Sequence, residues 1–175
     1  MNLVDSCHFQ KIKHEDFGII YSEMESAFIK EERRTFEAAL AVLDNEKYAL
    51  YDIIFDEVRV GFISLWELEG CIFIEHFAIC EAYRGKGYGS AVLDALKVRY
   101  EKIFLEAEPP ENEISRRRIA FYQRCGFVLN DIPYMQPSYH GGEGLRLVIM
   151  SYPDVFDNFD KTKKELYSTV YNVDF

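Results

Sequence analysis

The chain has 175 residues, of which 49% are hydrophobic and 15% aromatic, and its 30 acidic against 20 basic side chains leave a net charge of -10. That length suits one domain with a sizeable core, and that apolar content excludes disorder as the dominant state. The acidity argues against a general nucleic-acid binder and inclines the surface toward cationic partners. No apolar stretch approaches the roughly 18–20 residues of a membrane helix, so no membrane partner is expected. The N-terminus carries no basic, apolar, small-residue leader. Cys7, Cys71, Cys80 and Cys125 form no CxxC pair and share no zinc-site spacing with His8, His14, His76 and His140. The expectation is a cytoplasmic protein with reduced thiols and no metal.

In chain order, residues 8–13 read as a short first strand, and residues 15–29 and 31–44 as two helices. In the second helix Phe36, Ala39, Leu40 and Leu43 recur at helical spacing, and Asn45 can end it. Three apolar, aromatic-rich runs follow closely: Tyr48–Phe55, Val58–Trp66 and Cys71–Ile79, separated by Asp56-Glu57 and by a turn near Glu69-Gly70. Loops this short predict an antiparallel meander. After Cys80 the period changes. Ala91, Val92, Ala95, Leu96 and Val98 have helical spacing, and Ile103–Ala107 is a short strand that the intervening helix lets lie parallel to Cys71–Ile79. Pro109-Pro110 breaks the chain, Ile114–Arg124 reads as a helix, Cys125–Leu129 starts a strand, and Gly144–Tyr152 is the last strand. Asp154–Val170 reads as an amphipathic helix with Phe156, Phe159, Leu166 and Val170 as its buried face. The sum is an α/β (α+β) domain whose mixed sheet of six to seven strands is flanked by helices.

Between the third strand of the meander and the next helix stands Arg84-Gly85-Lys86-Gly87-Tyr88-Gly89. Glycines admit positive φ and close approach of a ligand. Amides at a helix start form an anion site, and successive amides in such a turn form a nest for phosphate oxygens. The loop therefore reads as a phosphate or pyrophosphate site, or else as a glycine-rich turn without a ligand. The GxxxxGK[ST] pattern of an ATP loop is absent. The dinucleotide fingerprint GxGxxG fails at Ser90, although Glu106 falls at a strand end where a ribose-binding acid belongs. A nucleotide-binding oxidoreductase is thus a weaker reading.

Arg84-x-x-Gly87-x-Gly89 resembles the acetyl-CoA pyrophosphate loop of the GNAT superfamily of N-acetyltransferases, and Ile74–Ile79 resembles that family's central strand. Phe121-Tyr122-Gln123-Arg124-Cys125-Gly126-Phe127 resembles its second signature, Phe/Leu-Tyr-x-x-x-Gly-Phe. The resemblance is strong over Val58–Leu129. The segments Glu108–Arg124 and Met150–Pro153 also resemble a poorly characterised bacterial branch of the superfamily.

The resemblance implies one GNAT domain over residues 1–175, with 153–175 a C-terminal helical extension. It implies transfer of an acetyl group from acetyl-CoA to a primary amine of a small-molecule or peptidyl acceptor, by direct attack in a ternary complex. Tyr122 matches the family's general acid. Arg84, Gly85, Lys86, Gly87, Tyr88, Gly89 and Ser90 would hold the pyrophosphate, and the main chain of Phe77 and Ile79 would pair with the pantetheine arm. Ser115 stands where many members carry an Asn that touches that arm, which puts this anchor in doubt. A homodimer is one expectation. An acyl-CoA-binding or sensing module without turnover is the alternative on the same fold.

Glu75 is the candidate base, because a carboxylate inside an apolar strand is costly unless it is paired or functional. A structural ion pair is the equal alternative. His76, on the opposite face of the strand, reads as a core histidine. Arg116-Arg117-Arg118 is either a CoA 3′-phosphate site or a solvated helix face. Glu106, Glu108, Glu111 and Glu113 either attract a cationic acceptor or form a solvated loop. Tyr134, Gln136, Tyr139 and His140 lie in a connection of about 14 residues, a length often functional. Glu106, Tyr134 and Tyr139 are the candidate acceptor contacts.

Overall fold

The structure is a computed structural model that describes residues 3–174. The first strand, β1, is Cys7–Lys11, and helix α1 is Phe17–Ala27. Phe17, Ile20, Tyr21 and Met24 are its buried face, the 3- and 4-residue spacing of a helix lying on a core. Helix α2 is only Phe36–Val42. The longer helix expected over 31–44 is cut because the Thr35 hydroxyl caps the Ala38 amide, and residues 30–32 form a separate 3-10 turn.

The meander follows as β2 (Tyr48–Phe55), β3 (Val58–Leu68) and β4 (Cys71–Ile79). The β2–β3 turn has Asp56 at φ 47 and Glu57 at φ 65, the doubly positive φ of a two-residue hairpin. Helix α3 is Tyr88–Arg99, β5 is Ile103–Ala107 and helix α4 is Glu113–Arg124. The remaining elements are β6 (Val128–Leu129), β7 (Met135–Gln136), β8 (Leu145–Arg146), β9 (Val148–Tyr152) and α5 (Asp160–Val170). The main sheet runs β1-β2-β3-β4-β5-β9-β6, and β7 and β8 form a separate two-stranded ribbon.

The expected last strand over 144–152 is therefore two strands, broken at Leu147. The C-terminal helix starts later than expected. Side chains of Asp154, Asn130 and Asn158 accept from the amides of Val155, Phe156 and Asp160, which holds this stretch in turns.

The chain divides into two compact units. One contains the residues up to Trp66 together with Ile74–Arg99, and the other contains Glu67–Phe73 together with Tyr100 onward. In the first unit β2 pairs antiparallel with β1 (Phe55 opposite Cys7) and with β3 (Tyr48 opposite Trp66). Its core includes Phe17, Leu50, Ile53, Phe62 and Trp66. In the second unit β9 pairs antiparallel with β5 and β6. The Ile72 amide donates to the Lys102 carbonyl, and Phe73 stacks on Phe104 with ring centroids 5.0 Å apart, so the start of β4 advances in step with β5. Phe104 also meets Phe156 and Phe159 edge-on, and Leu166 and Val170 of α5 are buried.

Among the described residues no helix is long and apolar enough to cross a membrane, and no group of His, Cys, Asp or Glu side chains is placed to hold a metal. None of the four cysteines forms a disulfide.

Candidate functional site

The glycine loop lies in the first unit. Gly85 and Gly87 adopt φ of 72 and 86. A Cβ at Gly85 meets nothing within 4 Å, and one at Gly87 meets only a Leu3 methyl at 3.6 Å. Conformation rather than crowding demands glycine at both positions. The loop runs into α3, where the Ala91 amide makes the first helical bond, to the Gly87 carbonyl at 3.1 Å. Arg84 Nε donates to the Ile79 carbonyl at 2.9 Å, and Lys86 Nζ donates to the Ala82 carbonyl at 2.9 Å. These bonds fix two cations around the loop. The Tyr88 ring sits on Phe55, 4.7 Å between centroids, and anchors the helix start to β2.

β4 leads into this loop, and its burial changes along its length. Cys71–Ile74 are buried, whereas Phe77–Cys80 are all partly exposed. Glu75 is partly exposed as a residue although its side chain is only 2% exposed, so its accessible part is main chain. A cavity of about 400 Å³ borders this end of the strand, between Ala78, Ile79, Cys80 and Arg84 on one side and Glu23 and Ser26 of α1 on the other.

The Glu75 carboxylate accepts from Arg34 through one oxygen and from the Trp66 indole N–H, at 3.0 Å, through the other. The Arg34 guanidinium also stands 5.5 Å from the Trp66 ring centre. Tyr21 of α1 donates its hydroxyl to the Arg34 carbonyl at 2.8 Å and holds that segment in place. Glu75 thus occupies the structural ion pair that stood beside the base as its alternative, because both carboxylate oxygens already accept from buried donors. His76 is buried, with Nε2 2.8 Å from the Glu32 carbonyl, Nδ1 3.3 Å from the Ser64 hydroxyl and its ring 4.8 Å from that of Phe28. Burial depresses its pKa from 6.5, so the ring is neutral at pH 7.

The second unit holds Tyr122, near the C-terminal end of α4. It is buried between Phe121 and Phe127, and the Phe127 amide donates to its carbonyl at 3.0 Å. Burial pushes its phenol up to about 12, so it carries its proton at neutral pH. At the other end of α4, Asn112 caps the helix by accepting from the Ser115 amide, and the Ser115 hydroxyl accepts from the Asn112 amide. The Ser115 hydroxyl, which also donates to the Asn112 carbonyl, belongs to this capping box. Its hydroxyl is engaged at the helix start.

The model of the Acetyltransferase (GNAT) family matches residues 12–127. The chain belongs to the GNAT acetyltransferase family. It is 24% identical over 156 residues to the Bacillus subtilis (strain 168) protein YjbC, described as an acetyltransferase, covering 87% of this chain and 80% of that one. It superposes with a TM-score of 0.88 on a structure from Bacteroides thetaiotaomicron described as a GNAT-family acetyltransferase, at 31% identity, covering 95% and 99% of the two chains. It shares the fold of AAC(6')-Ib, solved in complex with acetyl-CoA, with a TM-score of 0.61 and 18% identity over 84% of this chain and 93% of that one. The chain is an acetyltransferase.

Around the C-terminal half of this GNAT chain, Glu106 of β5 accepts from the Tyr134 hydroxyl and, at 2.8 and 2.7 Å, from the Tyr171 hydroxyl. Tyr139 packs on Tyr171, with ring centroids 5.1 Å apart. Tyr134 is held above the ordinary tyrosine pKa by its burial and by the Glu106 charge. Arg116, Arg117 and Arg118 form no common cluster. Arg117 pairs with Glu113 and Arg118 with Glu108, while Arg116 donates to the Glu111 carbonyl. Three contributors escaped the sequence. Arg34 stands 41 positions before Glu75 with no local signal to join them. Tyr167 and Tyr171 did carry a signal, their four-residue spacing on the last helix, which places both on one face.

Proposed function

We propose that this GNAT acetyltransferase moves an acetyl group from acetyl-CoA to the primary amine of a small-molecule or peptidyl acceptor, within a ternary complex. The observation that carries the reading is the Arg84–Gly89 loop. Its two positive-φ glycines open onto α3, and it adjoins a strand end whose residues are partly exposed beside a cavity. Arg84, Gly85, Lys86, Gly87, Tyr88, Gly89 and Ser90 hold the pyrophosphate through main-chain amides and flanking positive charge. The main chain of Phe77 and Ile79 pairs with the pantetheine arm as an added strand. For Ile79 the carbonyl must then exchange the Arg84 side chain for the arm.

Acetyl-CoA supplies an activated thioester, and much of the catalysis is the alignment of two bound reactants. The amine nitrogen forms the new C–N bond, the C–S bond breaks, and the departing sulfur takes the proton that Tyr122 holds. The acceptor must lose a proton to become nucleophilic. Glu75 is engaged by Arg34 and Trp66, so we assign it to holding β4 in place and the proton's exit to a water path. Glu106, Tyr134 and Tyr139 face the acceptor.

Calorimetric titration of the purified chain with acetyl-CoA, with NAD and ATP as controls, tests the cofactor, and an amine panel read by free-thiol release tests the transfer. Micromolar acetyl-CoA binding with amine-dependent thiol release is the expected result. A chain that binds acetyl-CoA but releases no thiol with any amine of the panel is a binding module, and a chain that binds NAD instead overturns the reading.

A further inference from the structure

One guanidinium stands behind both walls of the cavity beside β4. Arg59 of β3 forks onto Glu23 of α1, with Nη1 and Nη2 each donating to one carboxylate oxygen at 2.8 Å. Its Nε donates to Asp52 of β2, and its Nη1 lies 3.8 Å from the Cys80 sulfur at the end of β4. Glu23, Ser26 and Ala27 line the cavity from α1, since residues three and four apart share a helix face, and Cys80 lines it from the other side.

A break in strand register puts Arg59 in this place. Asp52 pairs with Phe62 and Ile53 with Gly61, but Ile54 pairs with Arg59, so Val60 is an extra residue in β3. Strict alternation from Phe62 would turn Arg59 to the opposite face of the sheet. The bulge shifts the phase by one residue and brings Arg59 onto the face of Asp52 and of Phe62, which also lines the cavity. The Val60 carbonyl accepts from the Cys80 amide at 2.8 Å, so the bulge itself is joined to the end of β4.

A forked guanidinium–carboxylate pair fixes direction as well as distance, which a point charge does not. The cavity shares Ile79 and Arg84 with the residues assigned to the cofactor. We propose that Arg59 is a positioning residue for acetyl-CoA. By holding Glu23 on one wall and adjoining Cys80 on the other, it sets the width of the cavity and hence the fit of the cofactor, without touching the cofactor itself. The proposal rests on the acetyl-CoA reading of the loop and deepens it.

Arg59→Lys keeps the charge but cannot hold both Glu23 oxygens and Asp52 in the same geometry. Calorimetric titration of the full chain with acetyl-CoA is expected to show a Kd raised about tenfold, the scale of one lost charge-assisted bond, with the stoichiometry unchanged. An arginine that only stabilises the fold gives the converse, fewer competent molecules and the same Kd. Glu23→Gln weakens binding in the same direction. The double variant binds no more weakly than Arg59→Lys alone, because both changes act through one contact. Iodoacetamide labelling gives a second measure, since Cys80 is partly exposed and the other three cysteines are buried. Acetyl-CoA slows labelling of Cys80, read by peptide mass, and without acetyl-CoA the labelling is faster in Arg59→Lys than in the unsubstituted chain. An unchanged Kd in Arg59→Lys, effects of the two substitutions that multiply, or Cys80 labelling that ignores acetyl-CoA overturns the proposal while the cofactor reading stands. Failure of the unsubstituted chain to bind acetyl-CoA is a different result, and removes the cofactor reading and this proposal together.

Discussion

Arg34 and Glu75 form an ion pair with side chains only 8% and 2% exposed, and the Trp66 indole N–H closes the second carboxylate oxygen. The pair ties the segment before α2 to the middle of β4, the strand that leads into the glycine loop. Attraction inside a core compensates the lost hydration of both ions only while both are present. Substituting Glu75→Gln leaves the Arg34 charge buried without its partner, and a loss of roughly 3–5 kcal/mol in urea unfolding is expected. Arg34→Met with Glu75→Leu loses less than either single change. At matched folded fraction the Glu75→Gln enzyme keeps its turnover within a few-fold. A fall of roughly 100-fold or more returns the base role to Glu75.

Tyr122 holds its proton because burial pushes the phenol up to about 12. An acid must be protonated to act, so its activity is lost only as pH rises through that value. The rate of the bound complex shows no alkaline decline up to pH 10. Tyr122→Phe lowers kcat by roughly 100-fold or more and leaves acetyl-CoA affinity unchanged, because the ring and its packing on Phe121 and Phe127 persist. An unchanged kcat assigns the phenol to packing alone.

Gly87→Ala places a side chain at φ 86 without a clash, the nearest atom being a Leu3 methyl at 3.6 Å. The fold bears a strain of roughly 1–2 kcal/mol, and the added methyl stands where the backbone must approach the pyrophosphate. Acetyl-CoA affinity falls at least about tenfold, while the thermal midpoint drops by only a few degrees. Equal affinity in calorimetry removes the loop from the cofactor site.

Two strands of the meander, Tyr48–Phe55 and Cys71–Ile79, were legible to the residue, and β3 runs two residues past the expected Trp66 to Leu68, because continuous apolar runs between two-residue turns admit few alternatives. The GNAT family was legible from Arg84–Gly89 and Phe121–Phe127, where backbone geometry restricts the residue types. What failed were elements decided by side-chain capping. Thr35 shortened α2, and the side chains that bind the amides of residues 155–160 delayed α5. The capping role of Ser115, whose hydroxyl stands three residues after Asn112, was not read from the sequence either. Partnerships such as Arg34 with Glu75, or Tyr171 with Glu106, join residues 41 and 65 positions apart, and no local pattern encodes them.

Gly61 of β3 lies against the main chain of Ala78 and Ile79 in β4. A Cβ built there stands 2.2 Å from the Ala78 carbonyl oxygen and 3.0 Å from the Ile79 Cα, both main-chain atoms. Neither can swing aside as a side chain does, so Gly61→Ala displaces the strand, at roughly 2–3 kcal/mol. The melting midpoint falls by roughly 4–10 °C. Because the displaced residues include Ile79, acetyl-CoA affinity falls with stability. A stable variant with full affinity separates Ile79 from the cofactor arm.

His76 gives a stability that depends on pH. Its ring is only 4% exposed and lies against Phe28, and burial lowers its pKa below the ordinary 6.5. Glu75 opposes this shift, and so does the Glu32 carbonyl, while the Arg34 and Arg33 charges reinforce it. A folded-state pKa below the unfolded one means the unfolded chain binds the proton more readily. The contribution is complete above about pH 6.5 and is lost as pH falls from there toward the folded-state value. Urea midpoints measured from pH 7.5 down to 5 decline with acidification. The His76→Asn variant shows a shallower decline over the same window, whatever its absolute stability, because it removes one proton-binding difference and leaves the carboxylates in place. Parallel slopes for the two proteins place the pH dependence elsewhere in the fold.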